Sequence, residues 1–232
     1  MAEPRVRQPM MSEAIPMCQP VKDEASLLDA IRRGDSEAVG DLFELHRQRL
    51  LRMVHLRLDS RVRQRIDATD VLQETFLVMS RRIQEFLDGA GGSLFVWLRL
   101  LAAQKIVDLH REHLQAQKRD ASREVSIFEQ RMTRSTSDLL ATQLVIHSSS
   151  PSQKVMKAER RTKLSEMLME IEELDRDILV LRHFEQLSNR EVAETLEMNE
   201  SSVSTRHVRA LIRLKELLRG HEEFGDLISG QF

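Results

Sequence analysis

Apolar positions recur every three or four residues along two stretches of the chain, which predicts amphipathic helices. In the first stretch, a helical pair is interrupted at Gly34, and a third helix is predicted over 66–86. A glycine-rich loop at 87–93 separates it from a fourth helix, whose head carries the chain's single tryptophan. We interpret residues 25–117 as one helical domain.

The second periodic stretch, residues 151–220, predicts four helices and a second small domain. Ser188 and Glu191 have the spacing of a capping box, which starts the third of these helices. The pattern breaks around Glu197, and Asn199 is placed to cap the last helix. Two short helices joined by a tight turn, the second rich in arginine, are typical of a helix-turn-helix that binds duplex DNA.

The remaining segments lack sustained periodicity. Residues 1–24 hold four of the five prolines and are predicted to be a flexible tail. Residues 118–150 are rich in serine and threonine and are predicted to be a linker, in which 139–146 could form a short helix. Residues 221–232 form an acidic, partly apolar tail. The expected fold class is all-α, with two small helical domains joined by a flexible linker.

Composition and net charge exclude several classes of function. The 232 residues carry a net charge of −2, so any DNA contact has to come from local patches such as the seven arginines between 47 and 65. The single Cys18 and the scattered histidines predict no metal site, and no cofactor is expected. No catalytic motif is present, so we expect a non-enzymatic protein. No apolar run is long enough to span a membrane, which predicts a cytoplasmic location without membrane insertion.

Three sequence blocks, in order, resemble regions of bacterial RNA polymerase sigma factors. DATDVLQETFLVMSRRIQEF looks like the region that binds core polymerase, and GGSLFVWLRLLAAQKIVDLHREH is similar to the promoter-melting region. LDRDILVLRHFEQLSNREVAETLEMNESSVSTRHVRALIRLKEL resembles their fourth conserved region. The layout of a region 2-like domain followed by a region 4-like domain resembles the extracytoplasmic-function group of the sigma-70 family.

This resemblance implies a role for each domain. The first would bind core polymerase through its beta-prime clamp helices, with Asp70, Gln73 and Glu74 presenting acid and amide groups. It would also recognise and melt the minus-ten element, because aromatic side chains can stack on unpaired bases. The residues implied at the minus-ten element are Phe86, Gly92, Ser93, Phe95, Trp97, Gln104, Lys105 and Arg111.

The second domain would contact the minus-thirty-five element and the beta flap of polymerase. The residues implied at that element are Ser202, Ser204, Thr205, Arg206, Arg209 and Arg213. The chain departs from the family pattern at Gln104, usually asparagine, at Ser204, commonly lysine, and at Glu197, usually glycine. A non-glycine residue with positive φ is strained, so the turn at Glu197 is expected to differ in shape.

Two other functions are open from the sequence. A one-component transcription regulator would bind an operator without polymerase, and a helical adaptor would pair only with another protein. A sigma factor would instead bind core polymerase and promoter DNA, and an anti-sigma factor would be its expected regulator.

Overall fold

The computed structural model describes residues 23–58, 66–89, 91–115, 136–145, 154–221 and 224, and the regular secondary structure in these ranges is helical. The helices, in chain order, are α1 (Glu24–Arg32), α2 (Glu37–Arg57), α3 (Ala68–Asp88), α4 (Leu94–Gln115), α5 (residues 136–145), α6 (Lys154–Leu168), α7 (Glu173–Leu179), α8 (Asn189–Thr195) and α9 (Glu200–Arg219). A π-helical turn, Val180–Phe184, continues α7. The predicted all-α fold class is confirmed.

Helix starts follow the predicted capping chemistry. At α8, the Ser188 backbone N–H donates to Glu191 at 2.7 Å, and the Glu191 N–H donates to the Ser188 hydroxyl at 3.2 Å. At α9, the Asn199 side-chain oxygen accepts a bond from the Ser202 N–H at 2.7 Å. Both predicted caps are confirmed, and each satisfies backbone donors that a helix start leaves unpaired.

The first hydrophobic core lies among α1 to α4. Its fully buried members include Leu42, Leu50, Met53, Val71 and Leu98. On α3 the buried positions follow one helical face, which leaves the opposite face to solvent.

The same core extends into the C-terminal half. Leu187, Val192 and Val203, which surround the helix-turn-helix, belong to one buried cluster with Leu94 and Leu98 at the head of α4. The two halves therefore pack together, because burying these side chains removes apolar surface of both halves from water.

A second core holds α5, α6, α7 and α9 together. Leu140 and Leu144, from the interval assigned to the linker, are buried against Leu164 and Leu214. Phe224, from the interval assigned to the C-terminal tail, is fully buried in the same cluster. The short helix expected within 139–146 is present as α5, and it forms part of the C-terminal core.

Several sequence predictions lie outside the described residues. These are the tail before residue 23, the rest of the 118–150 linker, the arginines at 61, 63 and 65, and the C-terminal tail apart from His221 and Phe224.

Candidate nucleic-acid interface

A cavity of about 370 Å³ opens between the end of α3 and the start of α4. The residues that line it include Phe86, Gly92, Ser93, Trp97 and Leu100, the charged Arg82 and Glu85 of α3, and Glu194 of α8. The rings of Phe86 and Trp97 lie 5.1 Å apart and are inclined by 31°. Half-buried aromatic rings beside an open cavity are suited to stacking on a planar group.

Phe95 does not line this cavity. It is 1% exposed, with its ring against His46 at 5.8 Å and the Arg49 guanidinium 3.6 Å above its centroid. Phe95 and Trp97 are two residues apart on α4 and so point in different directions. The expectation that Phe95 stacks on a base is therefore wrong for this conformation, and Phe95 packs the core instead.

The loop before α4 is held by the other half of the molecule. The Ser93 N–H donates to both carboxylate oxygens of Glu194, at 2.9 and 3.0 Å. A Cβ at Gly92 would lie 2.7 Å from one of these oxygens, so glycine permits the approach. A carboxylate at a helix N-terminus is also favoured by the helix dipole.

The other residues implied at the minus-ten element lie further along α4, outside the cavity lining. Gln104 is exposed and donates to Asp108 at 3.2 Å. Arg111 pairs with the same Asp108 at 3.6 Å. Lys105 pairs with Glu74 of α3 at 3.2 Å, which links a residue implied for DNA with one implied for polymerase.

The candidate polymerase face of α3 is open to solvent. Asp70, Gln73 and Glu74 are all exposed, and Leu77, one turn further on, is 47% exposed. Asp70 also accepts a bond from the Asp67 N–H at 3.1 Å and so helps to start the helix. This face combines acidic, amide and apolar groups, which suits a basic and apolar partner.

Arg206 and Arg209 of α9 are paired with acids at the start of α7. Arg206 lies 2.7 Å from Asp175 and 3.0 Å from Glu172, and Arg209 lies 3.2 Å from Asp175. The Asp175 side chain is only 6% exposed, whereas Arg206 and Arg209 are 26% and 56% exposed. Arg206 is therefore largely committed to its own domain, and Arg209 keeps more surface for a ligand.

The start of α9 is similarly arranged. Ser204 accepts a bond from the Asn189 side chain at 2.8 Å, and Thr205 donates to the Ser201 carbonyl at 3.0 Å. Ser202 is half-buried behind the Asn199 cap. Arg213, further along, lies 3.6 Å from Glu170. Glu197 in the turn has a φ of 53°. It therefore adopts the left-handed conformation that glycine takes without strain, although it carries a side chain.

Charged side chains bridge the two halves, and two of them, Arg49 and Arg57, belong to the arginine patch that the sequence offered for DNA contact. Glu185, whose side chain is fully buried, accepts bonds from Arg57 at 2.7 Å and from Arg99 at 2.6 Å. Arg49 lies 3.0 Å from Glu191. Burial alone would raise the pKa of Glu185, but Arg57 and Arg99 outweigh it and hold the pKa below the ordinary value.

The sequence alone could have indicated that Arg99 is part of a buried ion pair. Arg99 interrupts the apolar run LFVWLRLLAA, and a charge within an apolar helix requires a buried partner. The identity of the partner could not be derived, because Glu185 lies 86 positions away and meets it only after the two halves pack.

Within the described ranges, no cluster of three or more histidine, cysteine or acidic side chains could hold a metal ion. No helix in those ranges is long and apolar enough to cross a membrane.

Comparison with known proteins finds similarity to bacterial sigma factors. The model for sigma-70 region 4 matches residues 161–214, which include α7, α8 and most of α9. The chain is 27% identical over 183 residues to the ECF RNA polymerase sigma factor SigD of Mycobacterium tuberculosis, covering 79% of this chain and 78% of SigD. The C-terminal half therefore matches sigma-70 region 4, and the chain is similar over most of its length to sigma factors of the extracytoplasmic-function group.

A second relative is RNA polymerase sigma factor YlaC of Bacillus subtilis, 24% identical to this chain over 188 residues, covering 81% of this chain and 96% of YlaC. Among solved structures, CnrH in complex with the cytosolic domain of CnrY matches 86% of this chain and 99% of that chain, with 18% identity and a TM-score of 0.48. RpoE in complex with the anti-sigma factor NepR from Bartonella quintana matches 78% and 99%, with 17% identity and a TM-score of 0.40.

Proposed function

We propose that this sigma factor binds core RNA polymerase through the exposed face of α3. Asp70, Gln73 and Glu74 present carboxylate and amide groups on that face, and Leu77 adds an exposed apolar side chain. Such a surface complements a partner helix that is basic and apolar, such as the beta-prime clamp helices. The α3 face carries the proposal, since its polar and apolar groups are exposed while the rest of α3 is committed to the core.

The cavity between α3 and α4 would receive an unpaired base of the minus-ten element. Phe86 and Trp97 supply aromatic surface, and the Ser93 N–H at the start of α4 supplies a donor. Each stacked base contributes roughly 1–3 kcal/mol, so one or two aromatic contacts favour a melted strand substantially. Lys105 and Arg111, further along α4, would meet the phosphate backbone, and Gln104 is exposed beside them.

The minus-thirty-five element would be contacted by α9. Arg209 and Arg213 are about half exposed, and Thr205 is exposed one turn earlier. Arg206 would act mainly through the helix position that its bonds to Asp175 fix. Family membership also suggests regulation by an anti-sigma factor and contact with the beta flap.

Reconstitution with core polymerase tests this assignment. The wild-type protein should direct initiation from members of a promoter-DNA library. Gln73→Lys and Glu74→Lys should each weaken core binding by roughly tenfold, about 1.4 kcal/mol, because they place a cation against a basic partner. Glu166→Lys, on an exposed part of α6, is the matched control.

Arg209→Ala should weaken duplex promoter binding without changing core affinity, and the salt slope should fall by about one unit if one phosphate contact is lost. Failure of the wild-type protein to bind core or to initiate anywhere would refute the proposed function. Operator binding by the free protein in that case would instead indicate a one-component regulator.

A further inference from the structure

The face of α9 that points away from the core carries exposed apolar side chains. Val208 and Ile212 are 56% and 54% exposed. Residues four positions apart lie on one face of a helix, so the two side chains form an apolar stripe. The buried side chains of α9, which include Val203, Ala210 and Leu214, lie on the opposite face. Packing inside the C-terminal core therefore does not account for the apolar stripe.

The hydroxyl groups on this outward face already use their hydrogens within the helix. Ser201 and Thr205 lie about two turns and one turn before Val208. The Ser201 hydroxyl donates to the Asn199 side-chain oxygen at 2.8 Å, and the Thr205 hydroxyl donates to the Ser201 carbonyl at 3.0 Å. A hydroxyl has only one hydrogen to donate. Over its first three turns, the outward face of α9 therefore offers methyl groups and hydroxyl acceptors rather than hydrogen-bond donors.

Cations flank the apolar stripe on both sides. Arg209 and Arg213 lie on one side and are 56% and 49% exposed, and the half-buried Lys215 lies on the other. Asp175 lies 3.2 Å from Arg209, and Glu170 lies 3.6 Å from Arg213, so both guanidinium groups are held beside the stripe. The major groove of duplex DNA is complementary to this surface, because base edges form its floor and phosphates line both of its walls.

An apolar side chain can distinguish one group on the floor of the major groove. That group is the C5 methyl of thymine, since the other groups that identify a base pair there are hydrogen-bond donors or acceptors. In a helix-turn-helix, the N-terminal part of the second helix contacts the base edges. Val208 lies in the third turn of α9, and Ile212 lies one turn further from that end. Val208 is therefore the better placed of the two to contact a base.

Resting on the proposed contact of α9 with the minus-thirty-five element, we propose that Val208 selects a thymine by packing against its C5 methyl group. Thr205 adds a methyl group on the same face, one turn earlier. Arg209 and Arg213 hold the helix against the phosphates, and such contacts carry no sequence information directly. The arginines therefore contribute affinity, whereas Val208 contributes specificity.

The test compares thymine with uracil, which forms the same base pair and lacks only the C5 methyl group. The full-length protein first selects from a pool of random duplexes of about 12 base pairs, slightly more than one helical turn. Selection is made at low salt, where phosphate contacts bind more strongly. Each thymine of a selected duplex is then replaced singly by uracil, and the two dissociation constants are compared.

In the wild type, uracil at one position should weaken binding by roughly fourfold, the effect of removing one methyl-sized apolar group from a buried contact. Val208→Ala should weaken binding of the thymine duplex to a similar extent. The uracil replacement should then have no further effect at that position, because the side chain and the methyl group form one contact. Circular dichroism checks that the variant is folded, as expected for a change at an exposed helical position.

Ile212→Ala is the matched control, since Ile212 is exposed to nearly the same extent one turn further along α9. It should keep the full difference between thymine and uracil. Loss of that difference in Ile212→Ala but not in Val208→Ala would refute the role of Val208. Weaker core polymerase binding in Val208→Ala, with an unchanged uracil effect, would also refute it and would make the stripe a protein contact.

Arg209→Ala separates this inference from the proposed function. It should weaken binding of the thymine and uracil duplexes equally, because a phosphate contact does not depend on the base methyl group. If it does so, but no thymine is sensitive to uracil replacement, α9 binds duplex DNA as proposed and the role of Val208 is refuted. If the protein selects no duplex and Arg209→Ala has no effect, the proposed contact of α9 with DNA is wrong, and the selection of thymine by Val208 is refuted with it.

Discussion

Both halves of this protein place arginines against carboxylates, but the acids come from different parts of the molecule. In the N-terminal half, Arg57 and Arg99 bind Glu185 across the interface between the halves. On α9, Arg206 and Arg209 bind Asp175 of their own domain. The first arrangement breaks if the halves separate, whereas the second persists.

An arginine–carboxylate pair therefore has a different role in each of the two arrangements. A pair across an interface couples one half to the other, so its energy contributes to their docking. A pair within a domain fixes a side chain or a helix and does not respond to docking. The proposed minus-ten site is therefore expected to depend on the relative position of the halves, and the proposed minus-thirty-five site is expected to be preformed.

The largest effect should come from the interface cluster. Arg99→Met leaves Glu185 buried with Arg57 as its remaining arginine, and removing one partner of a buried ion pair typically costs about 3–5 kcal/mol. Part of this cost is avoided if the halves open and water reaches Glu185. Urea unfolding, followed together with energy transfer between dyes on Gln84→Cys and Arg219→Cys in a Cys18→Ser background, should show a lower midpoint or early loss of docking.

The control is a double-mutant cycle. Arg99→Met with Glu185→Leu removes the buried acid and its most buried partner and should recover part of the loss, because only Arg57, which is 20% exposed, is left without its acid. A loss in the double variant equal to the sum of the two single losses, with no change in docking, would contradict the role given to this cluster.

The residues of this comparison show what the sequence could predict. The caps at Ser188 and Asn199 and the apolar face of α3 are local patterns, and they agree with the structure. The burial of Phe95 rather than Trp97 was not predictable, since both start α4 and only the packing of α2 decides which one is covered.

Hydrogen-bond and ion-pair partners that are far apart in the chain could not be predicted from the sequence either. Glu194 and Ser93 are 101 positions apart, and no spacing rule connects them. The pairing of Arg206 with Asp175 was missed because a basic helix was interpreted as a solvent-facing or DNA-facing surface. Helix position could be derived from periodicity, whereas the identity of an ion partner required the packing of separate segments.

The next largest effect on stability is expected from the pairing of α9 with Asp175 of α7. Asp175→Asn weakens the acceptor of Arg206 and Arg209 while keeping its shape, and hydrogen bonds to charged groups contribute about 1.5–3 kcal/mol. Stability should therefore fall by roughly 2 kcal/mol by thermal unfolding. Duplex binding should weaken as α9 loses its fixed position, while docking of the halves stays unchanged.

Glu216→Gln is the matched control, since this exposed acid pairs with Arg213 one turn away on the same helix. It should change stability by less than about 0.5 kcal/mol. A change in energy transfer between the halves in Asp175→Asn would contradict the separation of the two arrangements.

A smaller effect is expected when a fall in pH lowers the stability of the C-terminal half. The ring nitrogens of His183 and His207 lie 2.8 Å apart, and burial, followed by the His207 and Arg182 charges, lowers the pKa of His183 from 6.5 to about 4. The unfolded chain binds more protons than the folded one in this window, so stability falls as pH drops from about 6.5 to about 4.

The partly exposed ring reduces the expected loss to about 1–2 kcal/mol, which thermal unfolding across this pH range would measure. His183→Gln should flatten the dependence. If stability depends on pH as steeply in His183→Gln as in the wild type, other titrating groups cause the dependence. Duplex binding should follow the same window more closely than docking, since the pair lies beside α9.

The smallest expected effect concerns the turn of the helix-turn-helix. Glu197 adopts φ of 53°, where a side chain is disfavoured and glycine is not. Glu197→Gly should raise stability by about 0.5–1 kcal/mol, because the strain removed exceeds the added freedom of the unfolded chain. A lower urea midpoint would show that the Glu197 side chain stabilises the turn. Because this turn lies within one domain, the energy transfer between the halves should not change, and a change would place the turn among the groups that control docking.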